Sequence, residues 1–398
     1  MSKIIAVNAG SSSLKFQLFS MPEEKVLTSG VAERIGLEEG IFTIKVNNEK
    51  HTTNTPIKDH SVAVNLLLEA LVKYGIVKDL TEINGAGHRI VQGGAYFDQS
   101  VKVDEDVVSK VEELCDLAPL HNPAHLVCYR AFKEALPNIE HVFVFDTAFH
   151  QTMGPESYLF PVPMNWYTDY KVRRYGAHGT SHQYVSERAA ALMNKDIKDT
   201  NIITCHLGNG ASITAIKGGK CINTSMGLTP LGGIMMGTRS GDLDPTVVFY
   251  MMKKLNCTPD EMDTYLNKKS GMLGISGISS DARDVQAAAE AGNERAILTQ
   301  ELYVNRVINV LGGYVMQLGH VDAIAFTAGL GENDVNMRGM ILKACEEALG
   351  LSIDYDLNAT VRGKEVKISN EDSKVNVFVI PTNEEVVIAR DTMRILGL

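Results

Sequence analysis

Two stretches about half the chain apart repeat one plan, and that repetition limits the possible folds more than any other feature. Residues 4–19 read IIAVNAGSSSLKFQLF, and residues 201–217 read NIITCHLGNGASITAIK. Each is a short apolar run of strand length, a Gly/Ser/Asn turn and a second run. In the first copy Leu14, Phe16 and Leu18 alternate with Lys15 and Gln17, as in a half-buried strand. A spaced internal repeat implies duplicated units. The 398 residues are also too many for one ordinary core, so two domains are expected. Each turn gathers backbone N–H groups and hydroxyls, and the first adds Lys15. That is a cradle for phosphate, although an ordinary polar hairpin has the same composition. Two such hairpins are suited to grip a polyphosphate from both sides.

The net charge of −10 argues against a nucleic-acid partner. With 44% hydrophobic and 22% charged residues the composition is globular. No apolar run reaches the ~18 residues of a membrane-spanning helix, and Met1-Ser2-Lys3 leads into a strand with no signal-peptide pattern. The six cysteines are scattered with no C-x-x-C pair. Reduced thiols of a cytoplasm fit this better than a disulfide framework or a zinc site.

Taken in order, residues 26–31 and 41–46 extend the first hairpin into an antiparallel meander, and 59–74 read as a helix closed by Gly75. In INGAGHRIVQGG, 83–94, Arg89 leaves a strand into a Gly-Gly turn with no side chains to shield it, well placed to meet an anion. Residues 104–117 and 123–136 read as helices and 141–145 as a strand. Asp146 follows at the carboxyl end of that strand, where open α/β sheets bind ligands. It is a candidate for metal, substrate or acid–base work, or for a simple cap. Residues 151–170, rich in Pro and aromatics, show no period and suit a crossover between domains.

In RRYGAHGTSH, 173–182, His178 and His182 have a zinc spacing. The flanking glycines argue for a turn, and the glutamate of a zinc hydrolase is absent. His178 reads better as a donor to an anion, ahead of a helix at 183–193. The glycine-rich loop 223–245 isolates Arg239, a charge placed to meet developing negative charge. Helices follow at 245–255 and 259–268. A Gly/Ser loop at 271–280 leads to a helix capped by Asp281 with Arg283 in its first turn, and a long helix covers 293–318. The strand 321–327 runs into a glycine turn, 328–333, that opens a helix at 336–349. After a last strand at 375–380, Thr382 and Glu385 have capping-box spacing, which leaves Glu384 for other work.

Walker A, protein-kinase and G-x-S-x-G motifs are absent from the sequence. Glycine turns at strand ends, split between two halves and carrying isolated Arg, His, Asp and Glu residues, suit phosphoryl transfer, where positioning and electrostatics do most of the catalysis. The segments VNAGSSSLK, GHRIVQGG, FDTAFH, YGAHGTSH, HLGNGAS, GTRSGDLDP, AGLGEN and PTNEE resemble, in this order, the motif series of the acetate kinase (acetokinase) family.

The resemblance implies an α/β fold of two duplicated RNase H-like domains with a nucleotide cleft between them, as in sugar kinases, heat-shock ATPases and actin. The N-terminal domain would cover 1–150 and regain the last helix, 382–398. The C-terminal domain, 151–381, would bind nucleotide and form a homodimer. The implied reaction is ATP + acetate ⇌ ADP + acetyl phosphate, in a cytoplasmic enzyme with no nucleic-acid or membrane partner. Mg²⁺ is the implied cofactor, with Mn²⁺ able to take its place.

Carried over residue by residue, the family assigns Asp146, His178 and Arg239 to catalysis. It assigns Arg89, Val91, Leu120 and Pro230 to the acid, and Asn8 and a glutamate of PTNEE to the metal, where the capping spacing favours Glu384 over Glu385. Lys15, His206, Leu207, Gly208, Asn209, Gly210, Asp281, Ala282, Arg283, Gly329, Leu330, Gly331, Glu332 and Asn333 would bind ATP. Because acetate is ionised at neutral pH, Asp146 has no proton to remove and is expected to orient an arginine, the metal or its waters. Many family members carry Phe where this chain has Ala177, beside the acid pocket, which implies room for propionate. The other readings are a propionate or butyrate kinase, a nucleotide switch on the same fold, and an acyl-phosphate hydrolase.

Overall fold

The computed structural model describes residues 1–119 and 121–398; Leu120, expected in the acid pocket, lies outside the described residues. Contacts divide the chain into two compact units, Met1–Phe149 with Asn383–Leu398, and His150–Thr382.

The first unit contains β1 (Ser2–Ala9), β2 (Ser13–Met21), β3 (Lys25–Glu33), β4 (Gly40–Val46), β5 (Glu49–Thr55), β6 (Ile83–Ile90), β7 (Val101–Lys102) and β8 (Glu140–Phe145). Their order in the sheet is β5-β4-β3-β2-β1-β6-β8-β7. Strands β1 to β5 form the antiparallel meander. β6 lies parallel to β1, and β8 parallel to β6. Helices α1 (His60–Lys73), α2 (Glu105–Glu113) and α3 (Asn122–Ala135) follow the apolar spacing of the sequence. Asp59 caps α1 by accepting from the Val62 N–H at 2.9 Å. Leu67, Leu71 and Phe132 of α1 and α3 pack with Ile5, Val7, Leu14 and Phe16 of the sheet. The C-terminal helix, Glu384–Leu396, covers the opposite face. A Cβ on Gly87 would lie 2.2 Å from Thr392 Oγ1, so the glycines of β6 let this helix rest directly on the strand that carries Arg89.

The second unit contains β9 (Asn201–Leu207), β10 (Ala211–Lys217), β11 (Lys220–Thr224), β12 (Ala323–Thr327), β13 (Val366–Lys367) and β14 (Asn376–Val379), in the order β11-β10-β9-β12-β14-β13. Its first three strands are antiparallel, β12 is parallel to β9 and β14 to β12. This repeats the order and sense of β3-β2-β1-β6-β8, so the duplication seen in two hairpins extends to the sheets. Its helices are α4 (Pro155–Tyr158), α5 (Met164–Tyr170), α6 (Gly179–Leu192), α7 (Pro245–Leu255), α8 (Pro259–Lys268), α9 (Gly271–Ser276), α10 (Ala282–Glu290), α11 (Glu294–Leu318), α12 (Ala328–Asn333), α13 (Val335–Leu349) and α14 (Tyr355–Thr360). Val185 and Ala189 of α6 pack with Ile202 and Ala325 of the sheet. On the other side Tyr303, Leu311 and Ile341 of α11 and α13 pack with Ile203, Ile213 and Ile324. No described helix is long and apolar enough to cross a membrane.

Several expectations need correction. The stretch 271–280 is not all loop: α9 occupies its first half, with Met272 in the core and left-handed Gly277 (φ 68°) as its C-cap. The glycine turn at 328–333 is the one-turn helix α12. Its end is held because Glu332 Oε1 accepts from the Ala328 N–H at 2.8 Å and the Asn333 side chain donates to the Gly329 carbonyl at 3.0 Å. These contacts override the poor helix propensity of glycine. Helix α6 begins at Gly179, so His182 is helical and only His178 is in the turn, left-handed at φ 58°. The aperiodic stretch 151–170 contains α4 and α5. The cap of the C-terminal helix is Asn383, which accepts from the Val386 N–H at 3.2 Å, and not a Thr382/Glu385 box. Thr382 instead donates to Ser181 Oγ at 2.8 Å.

Candidate active site

In the first unit, parallel pairing sets the ends of β1, β6 and β8 side by side and brings Asn8, Arg89 and Asp146 together. Arg89 donates through Nε to Asp146 Oδ1 at 2.9 Å and through Nη2 to Oδ2 at 2.5 Å, the two-pronged pairing that guanidinium geometry favours. Its Nη1 donates to Asn8 Oδ1 at 3.1 Å. Glu384, at the start of the C-terminal helix, stands 3.8 Å from Nε. Three of the five N–H groups of Arg89 are thus used, leaving one on each terminal nitrogen for another anion.

Burial by itself disfavours the guanidinium charge, but Asp146 and Glu384 outweigh it and hold the Arg89 pKa above its ordinary value. For Glu384, burial pushes the pKa up to about 7; Arg89 opposes the shift, and Asp146 and Glu385 add to it. Lys15 pairs in register with Asn8 on the neighbouring strand and attracts Glu384 electrostatically.

The His60 ring Nε2 lies 2.8 Å from the Gly10 carbonyl and tethers the first polar turn. His60 was missed in the sequence because its partner is 50 residues away. Val91 is 5% exposed, and Gly93 and Gly94 are buried.

In the second unit the turn between β9 and β10 carries the corresponding apparatus. His178 Nδ1 is 2.8 Å from Ser212 Oγ, and the same hydroxyl lies 2.7 Å from His182 Nε2. The His182 ring also meets Thr204 Oγ1 at 2.6 Å, and burial keeps it neutral. His206 stacks on His178 with ring centres 4.0 Å apart and is held by Ser181 at 2.8 Å. A Cβ on Gly210 would lie 3.4 Å from Arg239 Nη1 and 3.6 Å from His178 Nε2, so both side chains converge on this bare backbone. Arg239 donates to the Pro230 carbonyl at 3.0 Å and has no carboxylate partner among the described residues. Burial disfavours its charge. A half-buried guanidinium without a counter-charge is prepared for an incoming anion.

Beyond that turn a cavity of about 690 Å³ opens at the carboxyl ends of β9 and β12, the usual ligand position in such sheets. Gly208, Asn209, Asp281, Ala282, Arg283, Gly329, Leu330 and Asn333 line it. Other expected residues do not: Leu207 is buried in the core, the Gly331 carbonyl accepts from Arg338 at 3.0 Å, and Glu332 anchors backbone N–H groups. Gly237, Gln286, Asn336 and Arg362 also line the cavity. Gly237 lies in a loop the sequence marks as unusual, whereas Arg362 has no local signal. Ala177 is 2% exposed within the core of this unit, and its carbonyl meets the His150 ring at 2.8 Å.

The family description "Acetokinase family" matches residues 3–390. The chain is 56% identical over 398 residues to the acetate kinase of Geobacillus kaustophilus, covering 100% of both. It is 55% identical over 395 residues to that of Bacillus subtilis, covering 99% of this chain and 100% of the relative. Among solved structures, Porphyromonas gingivalis acetate kinase matches with a TM-score of 0.94 at 45% identity and full coverage of both chains. A propionate kinase from Francisella tularensis matches with a TM-score of 0.93 at 39% identity, covering 99% of this chain and 100% of the other.

Proposed function

This chain belongs to the acetokinase family, and on that premise we propose how its residues transfer a phosphoryl group between ATP and acetate. The chain is a phosphotransferase with acetate kinase activity, and ATP is its co-substrate. An acetate oxygen attacks the γ-phosphorus in line, the bond to the β–γ bridging oxygen breaks, and ADP departs with that oxygen. In reverse, acetyl phosphate and ADP give acetate and ATP.

The observation that carries the assignment of roles is the Arg89–Asp146 fork. Asp146 occupies one edge of the guanidinium and leaves one N–H on each terminal nitrogen for the substrate carboxylate. Val91, directly after this strand, forms an apolar contact with the methyl group. His178 and Arg239 stabilise the phosphoryl group in flight, and the Ser212 bridge holds the His178 ring with Nε2 presented. The cavity residues from Gly208 to Asn333 hold the nucleotide, with His206 beside its phosphates.

Among the described residues no cluster of three or more His, Cys, Asp or Glu side chains can hold an ion alone. Asn8 and Glu384 supply two hard oxygen donors, which fits Mg²⁺ that keeps waters and arrives with phosphates. Mn²⁺ suits the same donors. The ion supplies charge neutralisation on the β- and γ-phosphates.

Helix α7 has no buried side chain and exposes Val247, Phe249, Tyr250 and Leu255, which supports a homodimer formed through the second unit. The free, largely buried cysteines support a cytoplasmic location.

The test is trapping of acyl phosphate with hydroxylamine in the presence of ATP, Mg²⁺ and acetate, propionate or butyrate. Acyl hydroxamate with acetate dominant is expected; ADP without hydroxamate would mean a hydrolase or switch. Because Ala177 replaces a larger residue, propionate is expected to be used better than in relatives with Phe. Ala177→Phe should lower the propionate/acetate ratio, within the ~1–3 kcal/mol that one methylene is worth. An unchanged ratio in a folded variant would remove Ala177 from specificity.

Asp146→Asn is expected to lower kcat/KM for acetate about 10- to 100-fold by loosening the Arg89 fork, since a charge-assisted hydrogen bond is worth ~1.5–3 kcal/mol. The acidic limb of the rate profile between pH 5.5 and 8 should survive, moved to lower pH because Asp146 helps to raise Glu384. An acidic limb present in the wild type and absent in the variant would make Asp146 a general base instead.

A further inference from the structure

The segment that follows Arg89 is fastened in an unusual way. Four consecutive backbone N–H groups leave the sheet here, and each is taken by a buried side chain. Val91 N–H points at His125 Nδ1 at 3.4 Å, and Gln92 N–H donates to Asn122 Oδ1 at 3.1 Å. Gly93 N–H donates to Thr147 Oγ1 at 3.0 Å, and Gly94 N–H to the Gln92 side chain at 2.9 Å. Asn122 also donates through Nδ2 to the Gln92 carbonyl at 3.0 Å, so its amide pairs with Gln92 as a neighbouring strand would. The three anchors from outside the segment are sealed from water: Asn122 is 0% exposed, Thr147 1% and His125 2%.

His125 adds directional information. Its Nδ1 accepts, so the ring proton sits on Nε2, which is buried and finds no hydrogen-bond partner among the described residues. Burial and the neighbouring Arg89 keep this ring neutral. The Asp146 N–H, in turn, donates to the Ile90 carbonyl at 2.9 Å. Arg89, its partner Asp146 and the wall residue Val91 therefore share one rigid frame. Its side-chain anchors come from α3 and from the residue after Asp146. A surface turn would take these hydrogen bonds from water, so sealing them with three side chains serves to fix a position.

We propose that Asn122, with His125 and Thr147, is a positioning residue that holds Val91 and the end of the Arg89 strand, and so sets which short carboxylic acid the enzyme accepts. The proposal rests on the reading that Arg89 and Val91 receive the acid.

The test measures KM for acetate and for ATP, and the propionate/acetate ratio of kcat/KM, in Asn122→Ala, Thr147→Val, Thr147→Ser and Val91→Ala. Each variant is first checked for a cooperative thermal transition. In Asn122→Ala and Thr147→Val, the acetate KM is expected to rise tenfold or more, and the ATP KM to stay within twofold. The propionate/acetate ratio should rise at least threefold. Thr147→Ser, which keeps the acceptor oxygen, should recover most of what Thr147→Val loses.

A fall in thermal stability with both KM values and the ratio unchanged would overturn the proposal, as would a parallel loss for ATP and acetate. If Asn122→Ala does not fold, the Thr147 pair carries the decision alone. Val91→Ala separates the two ideas. If it leaves acetate KM and the ratio untouched, the acid-site reading fails. If it moves them while the Asn122 and Thr147 variants do not, the positioning role fails.

Discussion

Arg239→Ala is expected to lower kcat by roughly 10³-fold or more while the KM for ATP changes little, because an arginine supplied in cis is worth about 10³ to 10⁵ in related phosphoryl transfers. The reasoning starts from what Arg239 lacks. It is bonded to the Pro230 carbonyl and, among the described residues, to no carboxylate, and burial disfavours its charge. A cation in that condition gains most when negative charge develops on the equatorial oxygens of the transferring group, and less from the ground state. The loss should therefore fall on kcat. The same reasoning sets a stability expectation. Removing a half-buried, uncompensated charge relieves desolvation, so Arg239→Met should melt no lower than the wild type. Steady-state kinetics with ATP varied, together with a thermal melt of the same preparations, check both. A large rise in ATP KM with kcat retained would make Arg239 a ground-state nucleotide contact. A marked loss of stability would mean that its contacts to the loop outweigh its charge.

Much of this site was legible because its residues sit where the chain itself changes character. Asp146 ends a buried strand, Arg89 ends another, and His178 and Arg239 interrupt glycine-rich turns. The duplicated hairpin already announced two sheets, and their matching strand order follows from it. What stayed hidden depends on distant partners. Asn122 and His125 lie beside Pro-containing loop sequence, and their bonds reach back 30 and 34 residues to Gln92 and Val91, so no periodicity points to them. The C-terminal cap was misread because Thr382 and Asn383 are both good cap formers. The choice is made by Thr382 bonding to Ser181, which sequence spacing does not reveal. Helices α9 and α12 were read as loops because glycine is a poor helix former, and side chains folding back on their own backbone reversed that preference in α12.

The largest expected response to conditions is acid unfolding driven by buried histidines. His88 and His141 share a hydrogen bond of 2.9 Å in a nest of Tyr129, Phe132 and Phe143. Burial, and then its histidine neighbours, keeps His88 well below the ordinary value of 6.5, and burial lowers His141 to about 4. In the same unit burial and Arg89 depress His125. In the second unit burial lowers His150 to about 4, and burial with His150 and His206 depresses His182 further.

All five shifts are downward, so below pH ~6.5 the unfolded chain binds more protons than the folded one. Stability then rises with pH across the window. The contribution is present above about pH 6.5 and is lost as pH falls toward about 4. For His141 and His150, both lowered to about 4, each ring costs about 2 kcal/mol at pH 5, from ~1.4 kcal/mol per unit. That is about 2 kcal/mol in each unit, with His88, His125 and His182 acting in the same direction, against a typical domain stability of ~5–15 kcal/mol. Urea midpoints should fall steeply between pH 6.5 and 5 and be nearly flat from 7 to 8. Replacing both members of the pair, His88→Leu with His141→Phe, should reduce the proton linkage by about two. Midpoints that do not move between pH 7 and 5, or a double variant with the wild-type slope, would mean that these rings find water or a counter-charge on protonation. The sealed aromatic nest would then open more readily than its packing implies.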